Sequence, residues 1–169
     1  MRSILRRREL LVDDWKYSRE VGAPNLANPL EAALIVTLLE LRADPDLWHG
    51  RPGRLGVRLS PVDNVEELTP HLRRLELVAV EFPGPGDGRG FSQARLLRTR
   101  LGFRGELRAI GAGVRQDLIF LMVRCGFDSF ELAPGQTVDS ALRAYERYTV
   151  AYQPGAALES ITRQRFGAD

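Results

Sequence analysis

The side chains best placed to do chemistry lie between Glu81 and Arg98, in the run Glu-Phe-Pro-Gly-Pro-Gly-Asp-Gly-Arg-Gly-Phe-Ser-Gln-Ala-Arg-Leu-Leu-Arg. Gly84, Gly86, Gly88 and Gly90 can take positive φ at little cost, and Pro83 and Pro85 fix the approach. A glycine turn that opens a helix gathers free backbone N–H groups, which suits an anion. Asp87 or Ser92 can cap that helix, and Arg89 and Arg95 add positive charge. The expected anion- or cofactor-binding set is therefore Gly86, Asp87, Gly88, Arg89, Gly90, Ser92 and Arg95. The competing reading is a tight turn whose glycines only let the helix pack on the sheet.

A second constellation is the set Arg58, Glu81, Arg108 and Glu131, each inside or at the end of a predicted strand with apolar neighbours. Parallel strands covered on both faces are nearly all apolar, so these charges stand out. Strict alternation sets all four on one sheet face, with Val57, Leu59, Val80, Phe82, Leu107 and Ile110 elsewhere in the pleat. They line a polar cleft at the C-terminal strand ends, or they neutralise one another as a structural set. An unpaired buried charge costs several kcal/mol, so pairing is expected, with Glu81 and Arg108 as one pair. No catalytic residue can be named from these types and spacings.

Cysteine and histidine exclude more than they suggest. Cys125 is the single cysteine, and with Met122, Val123 and Phe127 beside it, it reads as a small buried hydrophobe. No internal disulfide and no four-thiolate cluster can be built, and with only His49 and His71 no metal site is expected.

The elements that must position these groups follow from the hydrophobic period. Residues Met1 to Trp15 predict a hairpin before the main sheet, and Tyr17 to Asn28 a loop. A helix is expected from Pro29 through Leu41, capped by Asn28. Strands follow at Leu55–Leu59, Leu77–Phe82, Glu106–Gly111 and Asp128–Leu132. Helices are expected at about Val65–Leu75, from the glycine turn through Arg100, at about Val114–Arg124, and from Thr137 or Asp139 through Tyr148. About four βα units in series imply an α/β fold with a parallel sheet, open or half-barrel-like, preceded by the hairpin and helix. Residues 1–54 are expected to pack on a βα core at 55–153, with a tail at 154–169, all as one domain.

A chain of 169 residues with 44% hydrophobic and 27% charged residues has a globular composition. No apolar run approaches the roughly 18 residues of a membrane span, and no signal-peptide core follows Met1–Arg8, so a cytoplasmic protein is expected. Lys16 is the sole lysine, and the net charge is only +2 with acidic residues interspersed. Neither a membrane nor a nucleic-acid partner is expected, because no aromatic-plus-basic platform accompanies the arginines.

Several blocks carry a family likeness. They are Val12-Asp13-Asp14-Trp15, Asp87 through Arg98, Gly105 through Gly111, Arg124-Cys125-Gly126-Phe127-Asp128-Ser129-Phe130, and Tyr152-Gln153. Together they resemble a bacterial domain-of-unknown-function family whose label is an oxidoreductase of sulfite reduction. The chain departs from the family pattern after Gly111. Ala112 and Gly113 stand where an acidic residue is expected, and Gln116-Asp117 reverses an Asp-Gln pair. The resemblance implies a place in assimilatory sulfite reduction. Reduction of sulfite to sulfide uses a haem-type centre and an iron–sulfur cluster, which needs about four thiolates. One cysteine cannot supply them.

The expected role is thus an accessory or partner protein, working with sulfite reductase components or holding a small anion. A small oxidoreductase with a phosphate-bearing cofactor such as flavin at the glycine turn is the alternative, although Gly84-Pro85-Gly86-Asp87-Gly88 matches only a fragment of the dinucleotide fingerprint. A non-catalytic dimeric module is the third reading. A homodimer is expected in any case, through the apolar helix Leu34 to Leu41 and the helix carrying Tyr145 and Tyr148.

Overall fold

Short apolar runs rich in valine, isoleucine and leucine form the strands of this chain, and the polar segments between them turn back over one face. A computed structural model describes residues 3–6, 9–21, 33–132 and 143. In chain order the elements are β1 (Ser3–Arg6), β2 (Glu9–Val12), β3 (Lys16–Tyr17), α1 (Ser18–Val21), β4 (Leu34–Thr37), α2 (Leu38–Ala43) and α3 (Pro45–Gly50). There follow β5 (Leu55–Leu59), a 3-10 turn at Val65–Leu68, β6 (Leu77–Glu81), α4 (Arg89–Arg95), a π turn at Leu96–Arg100, β7 (Glu106–Ile110), α5 (Ile119–Arg124) and β8 (Ser129–Phe130).

All eight strands join one sheet in the order β2-β1-β8-β7-β6-β5-β4-β3. From β3 to β8 the strands run parallel in sequence order. Only β1 departs, lying antiparallel to both β2 and β8. The sheet curls into an open half-barrel. Tyr17 on β3 reaches across the hollow to Glu131, just past β8, with its hydroxyl 3.2 Å from the carboxylate.

Alternation along the strands separates two layers. Leu34, Val36, Leu55, Val57, Leu59, Val78, Val80, Leu107, Ala109 and Phe130 face the helices, where Leu41, Leu68, Ala94, Leu97, Ile119 and Met122 complete the main core. The other side chains face the hollow, where Trp15, Tyr17, Ile35, Leu77, Ala79 and Ile110 form a second, smaller cluster. The Asp13–Trp15 segment links β2 at one sheet edge to β3 at the other and so crosses the hollow. Gly56 makes room for it, because a Cβ there would lie 3.1 Å from the Trp15 ring.

Several expectations are corrected. The α/β class and the half-barrel shape hold, but the sheet has eight strands and is not purely parallel, against about four βα units. The hairpin is present and is part of the sheet edge. Within the expected helix from Pro29 to Leu41, Leu34–Thr37 is instead strand β4, and only Leu38 onward is helical. Ile35, Val36 and Thr37 are β-branched and suit a strand between β3 and β5, while Thr37 caps the helix that follows. Asn28 and Pro29 lie outside the described residues, as do Tyr145 and Tyr148. Val65–Leu75 gives a single 3-10 turn followed by irregular turns, and α5 begins at Ile119 instead of Val114. Ile110 shares the hollow face with Arg108, not the helix face with Leu107.

Candidate functional site

The deepest polar group in the hollow is Arg108, whose side chain is fully buried with that of Asp13. Its Nη1 donates to Asp13 Oδ1 at 2.9 Å, and its Nε and Nη2 both donate to Glu106 Oε1, at 3.0 and 2.8 Å. Ser129 Oγ donates to the same Glu106 oxygen at 2.6 Å, and Arg6 approaches the other at 3.3 Å. Burial alone would lower the Arg108 pKa, but the charges and hydrogen bonds of Glu106 and Asp13 outweigh it and push it up. This network stitches the crossing segment Asp13–Trp15 (the strap), β1, β7 and β8 together. Its donors are all directed at protein acceptors, so its role is structural.

Arg58 lies in the same register row as Arg108, across Ala79, and Glu81 stands at the next same-face position toward the C-terminal strand ends. Arg58 on β5 is the register neighbour of Ala79 on β6, and Glu81 on β6 is that of Ile110 on β7. Arg58 Nη2 and Glu81 Oε1 lie 2.6 Å apart, with both side chains about four-fifths buried. Glu131 accepts from Tyr17 at the far side, and Glu40 accepts from Ser18, from the Thr37 hydroxyl and from the Thr37 amide at the near side. Arg58, Glu81, Arg108 and Glu131 thus share one face, as alternation predicts. The expected Glu81–Arg108 pair does not form. Glu81 takes Arg58, while Arg108 takes Asp13 and Glu106, partners whose carboxylates periodicity along the strands had not singled out. The block Val12-Asp13-Asp14-Trp15 was the available signal for Asp13.

The glycine turn follows β6 at the same end of the sheet. Asp87 Oδ1 accepts the Arg89 backbone amide at 3.1 Å, so Asp87 and not Ser92 serves the helix start. The Asp87 carboxylate also takes the Arg89 side chain through Nε at 2.9 Å and Nη2 at 2.6 Å. That hydrogen bonding lowers the Asp87 pKa and raises that of Arg89. Gly90 is required for packing, since a Cβ there would lie 2.6 Å from the Phe82 ring, whereas Gly84 and Gly86 stand in open space. The described glycines with positive φ are Gly102, Gly111 and Gly126, none of them in this turn. Gln93 bridges α4 to the loop after β5, its amide donating to the carbonyls of Ser60 and Asp63 at 2.9 and 3.0 Å. Arg95 lies at the C-terminal end of α4, a helix away from the turn.

The loops after β6 and β7 are backbone-locked to each other. Gly113 donates its amide to the Phe82 carbonyl at 2.8 Å, and a Cβ on Gly113 would sit 2.6 Å from the Gly84 oxygen. Gly111, at φ 100°, would place a Cβ 2.5 Å from the Phe82 oxygen. The Ala112-Gly113 departure thus falls in a backbone clamp, and Asp117 forms an exposed pair with Arg115 at 3.1 Å. Cys125 packs at the edge of the main core, where burial pushes its thiol pKa up.

Sheet order, curl and the polar residues gathered at the C-terminal ends of the parallel strands define an α/β half-barrel protein. Residues 56–161 match the family described as "Bacterial protein of unknown function (DUF934)". The chain belongs to that family. No curated protein matches it. Among the described residues no helix is long and apolar enough to cross a membrane.

Proposed function

We propose that this chain is an accessory protein of sulfite reduction that acts by docking on a reductase component, without reducing sulfite itself. The link to sulfite rests on the resemblance of the sequence blocks. The docking reading is carried by one observation, the undefended sheet edge at β2. Leu10, Leu11 and Val12 there are 51%, 39% and 62% exposed, and among the described residues the outer side of this strand has no neighbour in the sheet. Edge strands in monomers are ordinarily shortened or charged, because their open N–H and C=O groups recruit other chains. The opposite edge, β3, follows that rule with two residues and the only lysine, Lys16. β2 does not, and strand addition to such an edge is a standard recognition mode.

The thiol inventory supports a non-reductase role, since Cys125 is the only cysteine and its buried thiol disfavours the thiolate. A phosphate-bearing cofactor at Gly86–Ser92 has a competitor in place, because Asp87 already holds Arg89. Co-purification of the full chain with sulfite reductase tests the proposal. Wild type retains the reductase, and Leu10→Lys with Val12→Lys loses it while keeping the same melting midpoint. Equal retention by both overturns the edge. Retention by neither, with wild type at twice the 18.9 kDa chain mass in light scattering, assigns the edge to a second copy of this chain.

A further inference from the structure

We propose that the C-terminal strand ends of the half-barrel bind a small monoanion that carries its oxyanion beside a hydrogen-bond donor, as a hydroxy acid does, with Arg58 and Glu81 as its two anchors. A guanidinium presents five N–H donors in a fixed fork. Two other buried arginines, Arg108 and Arg98, direct all three of their nitrogens at protein acceptors. Arg108 does so toward Asp13 and Glu106, and Arg98 toward the carbonyls of Phe103, Gly105 and Gly126 and the Asp128 carboxylate. Arg58 is different. Its side chain is only 21% exposed, yet among the described residues its sole polar partner is Glu81, reached through Nη2 alone. Nε and Nη1 remain for a ligand. Glu81 likewise engages its partner through Oε1, leaving Oε2 to accept a bond.

Charge selects the ligand class. The pair is neutral as a unit and the Glu131 carboxylate lies on the same face, so a dianion settling on Arg58 meets negative charge at close range and is disfavoured. A monoanion with an adjacent O–H or N–H satisfies both groups, oxyanion to guanidinium and donor to carboxylate, without breaking the pair. Ala79 and Ile110, the register neighbours of Arg58 and Glu81, are buried in the hollow with Trp15 and Tyr17, so the ion pair sits at the rim of an apolar layer. The position agrees with the rule that ligands of α/β sheets bind beyond the carboxyl ends of the strands. The inference is independent of docking at β2, which lies at the sheet edge.

Titration of the full-length protein by calorimetry with glycolate, acetate and sulfate decides it. Glycolate should bind about tenfold more tightly than acetate, the size of one charge-assisted hydrogen bond, and more tightly than sulfate. Arg58→Lys should weaken glycolate about tenfold through loss of the fork. Glu81→Gln should bring acetate and sulfate level with glycolate. If the lysine variant does not fold, the ligand preference of Glu81→Gln still decides the question. Absence of glycolate binding to wild type, or the same three affinities in wild type and Glu81→Gln, overturns the proposal.

Discussion

Arg108 is a charge carried into a sheet interior, and it is tolerated because Asp13 and Glu106 meet every nitrogen of its guanidinium. Removing it strands two carboxylates. Arg108→Met should therefore cost about 3–5 kcal/mol in urea unfolding, whereas Arg58→Met, in a partly exposed pair, should cost far less. A small loss at Arg108 would mean that the strap is not anchored there. Gly111 and Gly113 make a second residue-scale prediction. Gly111→Ala forces a side chain into positive φ and against the Phe82 carbonyl, so it should lose well over ~1 kcal/mol and lower the melting midpoint by several degrees. Gly86→Ala, in open space, should be nearly silent. The faces of Arg58, Glu81, Arg108 and Glu131 were readable by alternation alone. Their partners were not, because Asp13 lies 95 residues from Arg108 in sequence and meets it only when the strap crosses the hollow.

At the scale of elements, the β4–α2 junction turns on Thr37. Its hydroxyl accepts the Glu40 amide at 3.1 Å while Glu40 reaches back to the Thr37 amide at 2.7 Å, a reciprocal cap that ends the strand and starts the helix. Thr37→Ala should cost about 1 kcal/mol. Strands β5 and β7 were legible because Arg58 and Arg108 alternate with apolar residues, and β6 because its apolar run ends at Glu81 before the Pro-Gly turn. β4 was not, since a wholly apolar run has the same appearance in a buried strand and a buried helix. The mutual contact of His49 and His71 was equally invisible. It joins α3 to the segment before β6, with His71 Nδ1 2.9 Å from His49 Nε2 and Arg74 donating to the His49 carbonyl at 3.4 Å. Burial, with the neighbouring His49, lowers the His71 pKa from 6.5. A lowered histidine pKa means that the unfolded chain binds the proton more readily. The contribution is then complete above about pH 6.5 and is lost as pH falls through the folded value. Melting midpoints should drop on acidification below that point in wild type and drop less in His71→Phe; equal slopes would remove the pair as the cause.

At the scale of the whole molecule, the described half-barrel has two unlike edges. β3 is short and carries Lys16, while β2 is longer and exposes Leu10, Leu11 and Val12, so under the proposed docking reading association falls on the β2 side of the sheet. The dimer surface first expected at Leu34 to Leu41 is not available as such, since β4 lies inside the sheet between β3 and β5. Hydrogen exchange of the full-length protein, with and without sulfite reductase, tests the docking reading most directly. The amides of Glu9–Val12 should slow on addition of the reductase, while those of the Arg58 and Glu81 strands keep their rates. A complex that leaves Glu9–Val12 unchanged, or no complex at all, would contradict it.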